Sequence, residues 1–190
     1  MEQENIVESK PSTVKSEAME WIKALLIAAV LVFMIRYFIF APFIVDGPSM
    51  EPNFETGERL IVNKFIYDFR DPRHGEVIVF HAPEGKDYIK RVIALEGETV
   101  KVSDNKVYVN GKEVDEDYIR DIVAEKAKNG EKYTADFAEV TVPAGEIFAM
   151  GDNRRNSKDS RMIGPQPVSK IVGRADIIFW PAEKIQLVKH

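Results

Sequence analysis

A serine hydroxyl becomes a useful nucleophile only when a neighbouring base takes its proton. Ser49 lies in Gly47-Pro48-Ser49-Met50-Glu51-Pro52-Asn53. The two prolines fix φ on either side of Ser49 and Met50, and each disfavours helix in the residue before it. Gly47 permits a backbone conformation closed to residues with a side chain. The hydroxyl is therefore held on a stiff, non-helical turn. A serine in such a turn is ordinary by itself. It gains weight from a candidate base at Lys90 and from a polar run at residues 151–161.

On a strand, Tyr88, Lys90, Val92 and Ala94 share one face, and Ile89, Arg91 and Ile93 share the other. Lys90 thus points the same way as apolar neighbours. Two readings are open. Its stem could cover a sheet edge while the amine reaches water, or the amine could be desolvated and its pKa lowered. Taking a lysine from its ordinary value to about 7 requires roughly 4 to 5 kcal/mol, which full burial can supply. A neutral lysine can then accept a proton from a serine hydroxyl.

The run Gly151-Asp152-Asn153-Arg154-Arg155-Asn156-Ser157-Lys158-Asp159-Ser160-Arg161 is too polar for a strand and separates two strand-like segments. Arg154 stands where an EF-hand calcium loop needs an acidic or amide ligand. A solvated turn closed by Asx hydrogen bonds fits the composition. So does a folded-back loop in which an aspartate pairs with an arginine two residues on and Ser157 meets a buried amine.

The elements that must position these residues follow from the rest of the chain. Its 190 residues suffice for one domain with a real core. A formal net charge of -5 and a pI of about 5.4 argue against nucleic acid as a partner. The absence of cysteine excludes a disulfide scaffold, a cysteine zinc site and a thiol nucleophile. The three histidines are His74, His81 and His190, so chemistry that needs histidine has few candidates.

Residues 1–18 are polar and mixed in charge and read as a disordered arm. Residues 21–40 are apolar apart from Lys23 and Arg36. A helix over that span would reach roughly 30 Å, one hydrocarbon thickness. Lys23 and Arg36 could snorkel from its ends, and Trp21 and Tyr37 suit the interfaces. The expectation is a transmembrane helix over 19–41. A cleaved signal peptide fits the glutamate-bearing arm poorly, and no A-x-A-like site follows; a buried core helix would fit Arg36 poorly. Lys10, Lys15 and Lys23 lie before the span or at its start, favouring an N-terminus inside.

Beyond Pro42 the pattern alternates. Residues 59–63 (RLIVN), 76–81 (EVIVFH) and 88–95 (YIKRVIAL) read as strands. Residues 99–102 and 106–109 flank Ser-Asp-Asn, a hairpin signal. Further short strands are expected at 140–142, 146–150 and 177–180. A helix over 115–128, ended by Asn129-Gly130, is expected to form a solvated surface excursion. The fold class is mainly β: an antiparallel sheet domain over 42–190, preceded by one N-terminal transmembrane helix.

Ser49-Met50-Glu51-Pro52, Tyr88-Ile89-Lys90-Arg91-Val92-Ile93, and Gly151-Asp152-Asn153-Arg154 through Ser157 to Asp159-Ser160-Arg161 resemble the signature boxes of type I signal peptidases. The His-Gly-Glu-Val-Ile-Val-Phe run at residues 74–80 resembles a fourth. Each box alone is weak; four in order after one apolar span are specific. The short length and single span look most like Gram-positive bacterial members.

The resemblance implies that Ser49 is the nucleophile and Lys90 the general base. Ser157 would orient the lysine amine, and Asp159 and Arg161 would form an ion pair bracing the loop with support from Asp152. Arg91 would be structural, and Met50 and Tyr88 would lie near the substrate cleft. Some members place a serine oxyanion donor two residues before the nucleophile, where this chain has Gly47. Glu96 replaces a frequent proline. The implied enzyme is a membrane-bound serine endopeptidase that removes signal peptides from exported preproteins through an acyl-enzyme. It would be a single-pass protein of the cell membrane, N-terminus cytoplasmic and catalytic domain extracytoplasmic. Its partners would be the signal peptides of secreted preproteins and the lipid bilayer. No nucleic acid, metal or organic cofactor is implied. The rival readings are a Ser-His-Asp hydrolase using His74 or His81, a self-cleaving repressor, and a membrane-tethered, non-catalytic β-domain that binds secreted proteins.

Overall fold

The computed structural model describes residues 13–34 and 40–190. The chain divides into two units, Met1–Ile39 and Phe40–His190.

In the first unit, helix α1 covers Thr13–Met34. The polar arm expected over 1–18 falls outside the described residues up to residue 12, and residues 13–18 are already helical. Among the described residues no helix is long and apolar enough to cross a membrane. Glu17, Glu20 and Lys23 break the N-terminal half of α1. The uninterrupted apolar stretch, residues 24–34, would rise roughly 16 Å, about half a hydrocarbon thickness. The remainder of the expected span, residues 35–39, lies outside the described set.

The second unit is built from strands β1 (Phe40–Ile44), β2 (Arg59–Asn63), β3 (Val77–His81), β4 (Asp87–Ala94), β5 (Thr99–Ser103), β6 (Lys106–Val109) and β7 (Lys112–Glu113). Helix α2 (Arg120–Lys128) follows, then β8 (Phe137–Thr141), β9 (Glu146–Met150), α3 (Ser160–Ile163), β10 (Gln166–Pro167), β11 (Ile171–Trp180) and β12 (Gln186–Leu187). The larger sheet runs β1-β2-β11-β3-β4-β9-β10, with β12 on β11; a smaller one runs β7-β6-β5-β8. Every pairing in both is antiparallel.

The strands expected at 59–63, 106–109 and 146–150 have the expected bounds. Residues 177–180 are only the end of the longer β11, whose Gly173, Arg174 and Asp176 interrupt apolar alternation. β1 was not expected: its first two residues fall in the span 19–41, and residues 42–44 carry no alternating pattern. The helix expected over 115–128 is a 3-10 turn at Asp117–Ile119 followed by α2.

Two packed clusters shape the site. On the β1–β2–β11 side Val45, Met50, Phe54, Leu60, Val62, Ala175 and Ile178 pack with Val77 and Val79. On the other side Ile78, Phe80, Val92, Ile147 and Ala149 form a cluster against which Tyr88 lies.

Candidate active site

The turn that carries Ser49 is pinned from inside. Gly47 takes φ +92°, the left-handed region that the sequence reserved for it. Met50 is fully buried in the core, packed with Val45, Leu60 and Val79, so it lies behind the wall of the cleft near which it was expected rather than on its surface. Its apolar side chain gains more from the cluster of Phe54 and Leu60 than from a wet groove, and it anchors the turn there. Met50 O accepts from the N–H groups of Asn53 and Phe54, both at 3.0 Å.

Strand β4 brings Lys90 to that turn. The Nζ of Lys90 donates to Ser49 Oγ at 2.8 Å and to Ile89 O at 2.7 Å. Lys90 is 3% exposed, paired across the sheet with Ile78 and flanked by Val92. Burial pushes its amine down to about 8, against the upward pull of Asp159 and Asp152 and with a smaller downward push from Arg161. At that value roughly a tenth of the amine is neutral at pH 7, some 300-fold more than for an ordinary lysine. When neutral, the same short contact can run the other way, with Ser49 donating to the amine.

Arg91, next along the strand, points to the opposite face and is 1% exposed. It grips Asp152 with two parallel hydrogen bonds, Nε to Oδ1 at 2.9 Å and Nη2 to Oδ2 at 2.8 Å. Its remaining donors reach Gly75 O and Lys189 O, and its guanidinium lies 4.0 Å from the Tyr118 ring. Asp152 also accepts from Asn53 Nδ2 at 2.8 Å. It therefore ties the polar loop to β4 and to the serine turn, a different attachment from the Asp159–Arg161 pair it was expected to support.

That second pair is present: Arg161 Nε and Nη2 hold the two oxygens of Asp159 at 2.9 and 2.7 Å. Asp159 accepts from Gly151 N at 2.9 Å, and Arg161 donates to Arg154 O at 3.0 Å. Burial would raise the Asp159 carboxyl, but the Arg161 guanidinium and the Gly151 N–H outweigh it and hold it below its ordinary value. Asn153 fastens the loop to the nucleophile turn, its N–H donating to Ser49 O at 3.1 Å and its Nδ2 to Pro48 O at 3.0 Å. The approach is so close that only glycine fits at 151. A Cβ there would lie 2.2 Å from Ser157 Oγ and 2.4 Å from Ser49 O.

Ser157 does not make the hydrogen bond to the Lys90 amine that was expected of it. Its hydroxyl is buried without a hydrogen bond of good geometry, and Lys90 Nζ bonds Ser49 and Ile89 instead. The nearby carboxylate of Asp159 takes some support from it. The hydroxyl packs closely against Gly151.

Beside Ser49 and Lys90 lies a cleft of about 200 Å³ with a wall of Phe43, Ile44, Val45, Leu60, Val79 and Ile89. Tyr88 lines it as expected, with Asp46, Asp87 and Lys158 at its polar edge. His74 and His81 are elsewhere, paired with Glu98 and Asp87 at 2.6 Å each and exposed. Neither bonds Ser49.

Sequence reasoning missed the support that comes from the excursion between β7 and β8. Glu116 pairs with the fully buried guanidinium of Arg154 at 2.5 Å, Tyr118 O accepts from Asn53, and Tyr133 donates to Asp152 O at 2.9 Å. The excursion was expected to be solvated surface; its Ile119 and Tyr133 are buried. The mixture of aromatic residues among its charges was the available signal.

A family model described as "Signal peptidase, peptidase S26" matches residues 18–180. The chain is 40% identical over 177 residues to a signal peptidase I P of Bacillus subtilis subsp. natto, covering 92% of this chain and 96% of that one. It is 44% identical over 161 residues to a signal peptidase I of Bacillus caldolyticus, covering 82% and 87% respectively. A crystal structure of a signal peptidase I from Enterococcus faecalis superposes with a TM-score of 0.52 at 36% identity, over 55% of this chain and 97% of that one. Similarity of this extent, over a sheet that carries the four boxes in order, makes the chain a member of the peptidase S26 family, the type I signal peptidases, and a serine endopeptidase.

Proposed function

We propose that this chain removes signal peptides from exported preproteins by a Ser49/Lys90 dyad, while anchored to the membrane by its N-terminal apolar segment. The observation that carries the mechanism is the 2.8 Å contact between Lys90 Nζ and Ser49 Oγ. It is supported by burial that lowers the amine to about 8.

In the reaction, neutral Lys90 accepts the Ser49 proton as Oγ attacks the scissile carbonyl. The backbone N–H of Ser49 has no acceptor among the described residues and is available to the developing oxyanion. Gly47 brings no hydroxyl, so a second donor comes from backbone or solvent. Protonated Lys90 passes its proton to the departing amine, and after water enters it repeats the cycle to hydrolyse the ester. Arg91, Asp152, Asp159 and Arg161 hold the loop that positions the turn; Ser157 acts through Asp159. The small apolar cleft suits small side chains next to the scissile bond.

The membrane attachment rests on the apolar run beyond Lys23, which continues toward Ile39 in the sequence. An anchor would confine enzyme and preprotein to one bilayer and raise their effective concentration. The positive-inside bias supports an N-terminus in the cytoplasm and an extracytoplasmic β unit.

The test is cleavage of a labelled preprotein in lipid by the wild type, Ser49→Ala and Lys90→Ala. Mature product from the wild type and none from two folded variants is expected. Near-normal activity in Lys90→Ala would put the base elsewhere, and an inert wild type would favour a tethered binding domain.

A further inference from the structure

The Tyr88 wall of the cleft is braced by two residues to which the mechanism above gives no part. Glu84 stands in the turn joining β3 to β4, closed by Ala82 N donating to Lys86 O at 2.8 Å. Its carboxylate accepts from the Tyr88 phenol at 2.9 Å and forms an ion pair with Lys158. Lys158 comes from the polar loop, between Ser157 and Asp159, and lines the cleft. The Tyr88 ring packs edge-on against Phe80, centroids 6.1 Å apart, and its centroid is 5.1 Å from Lys90 Nζ. A turn on one side and a loop on the other are thus fastened across this ring.

We propose that Glu84 and Lys158 are positioning residues: their clasp holds the Tyr88 ring over the Lys90 amine and keeps water away from the base. The inference rests on Lys90 being the base. The ring's attraction for an ammonium is smaller than the hydration it excludes, so its net effect is to favour the neutral amine. The other charges around Lys90 are Asp159, Asp152 and Arg161, with Asp46 and Asp87 along the same cleft.

The clasp is 44% and 46% exposed at Lys158 and Glu84, so it contributes little to folding and can be removed without collapse. Its removal has a diagnostic sign. Deleting the negative charge of Glu84 by itself disfavours the Lys90 ammonium and moves the base downward. Releasing the ring admits water and moves it upward.

The experiment measures kcat/KM against pH from 6 to 10 on the full chain in detergent with a labelled preprotein. The variants are Glu84→Ala, Lys158→Ala, Tyr88→Phe and the double Glu84→Ala/Tyr88→Phe, with Lys90→Ala as the reference for loss of the base. For Glu84→Ala the midpoint should rise by about half a unit, a roughly threefold loss at pH 7 that vanishes on the alkaline plateau. Lys158→Ala and Tyr88→Phe should shift the midpoint in the same direction, and the double variant should add little to Glu84→Ala. A midpoint that falls or stays put in an enzyme still dependent on Lys90 overturns the clasp. Activity in Lys90→Ala would instead remove the base, and the inference with it.

Discussion

Replacing Lys90 by methionine should stabilise the protein at neutral pH and destabilise it at alkaline pH. Burial lowers the amine from 10.5 to about 8 in the fold. At 1.36 kcal/mol per pH unit, the folded state therefore carries a cost of about 3 kcal/mol when Lys90 is charged. Between about 8 and 10.5 the unfolded chain holds the proton and the folded chain does not, so wild-type stability rises with pH across that window. Below about 8 the cost is present almost in full. Methionine fills a similar space without the charge but loses the hydrogen bonds to Ser49 Oγ and Ile89 O. At about 1 kcal/mol each, these offset part of the gain. The variant should be more stable by about 1 kcal/mol at pH 7, equal near pH 9, and less stable by about 2 kcal/mol above pH 10.5. Calorimetry of the full chain in detergent reads this as roughly 2–4 °C per kcal/mol for a chain of this size. A variant less stable than wild type by the same amount at pH 7 and pH 10 would refute the reasoning, because Lys90 would then carry no penalised charge.

Asp152→Asn leaves Arg91 buried without its counter-ion and should cost about 3–5 kcal/mol in urea unfolding, although the substitution is nearly isosteric. Gly151→Ala, whose Cβ would press on Ser49 O, should lower kcat by roughly a hundredfold or more with a smaller change in KM. Burial alone would raise the Glu76 carboxyl, yet donors from Arg70, Arg73 N–H, Arg174 and Tyr67 hold it at about 2. Its contribution is therefore complete above its ordinary value of 4.5 and is lost as pH falls toward 2, so Glu76→Gln should flatten the melting temperature against pH in that range. Replacing both His74 and His81 by alanine should leave preprotein cleavage largely intact; its loss would point back to a histidine-based hydrolase.

Strands whose side chains alternate cleanly were legible: RLIVN, KVYV and EIFAM have their expected bounds. β11 was only partly legible, because it pairs with β2 on one side and β3 on the other, with register shifts at 171–173, 175–177 and 178–180, and its Gly173 is set by the close approach of Asn63 O. No local pattern encodes such tertiary pairing. The site divides in the same way. Turn chemistry and spacing make Ser49, Lys90, Asp159 and Arg161 candidates, and the resemblance to the signature boxes supplies their roles. Asn53 with Asp152 and Glu116 with Arg154 give no such signal, since their partners lie 99 and 38 residues away. Met50 and Ser157 show a further limit: packing buries the Met50 side chain behind the cleft wall and leaves the Ser157 hydroxyl without a hydrogen bond, neither of which a local pattern encodes.

The order of strands in the larger sheet bears on how the dyad is held together. Ser49 hangs between β1 and β2, and Lys90 sits on β4, whose partner is β3. No hydrogen-bonded ladder joins β2 directly to β3; β11 lies between them and bonds both. The two halves of the dyad thus belong to separate hairpins, joined within the sheet by β11 and at the site by Asp152 of the loop after β9. A polypeptide truncated before β11 would hold both reactive side chains and the 151–161 loop yet lack the strand that hydrogen-bonds both hairpins. Removal of β11 should therefore loosen the spacing of Ser49 and Lys90 even though neither residue lies on it.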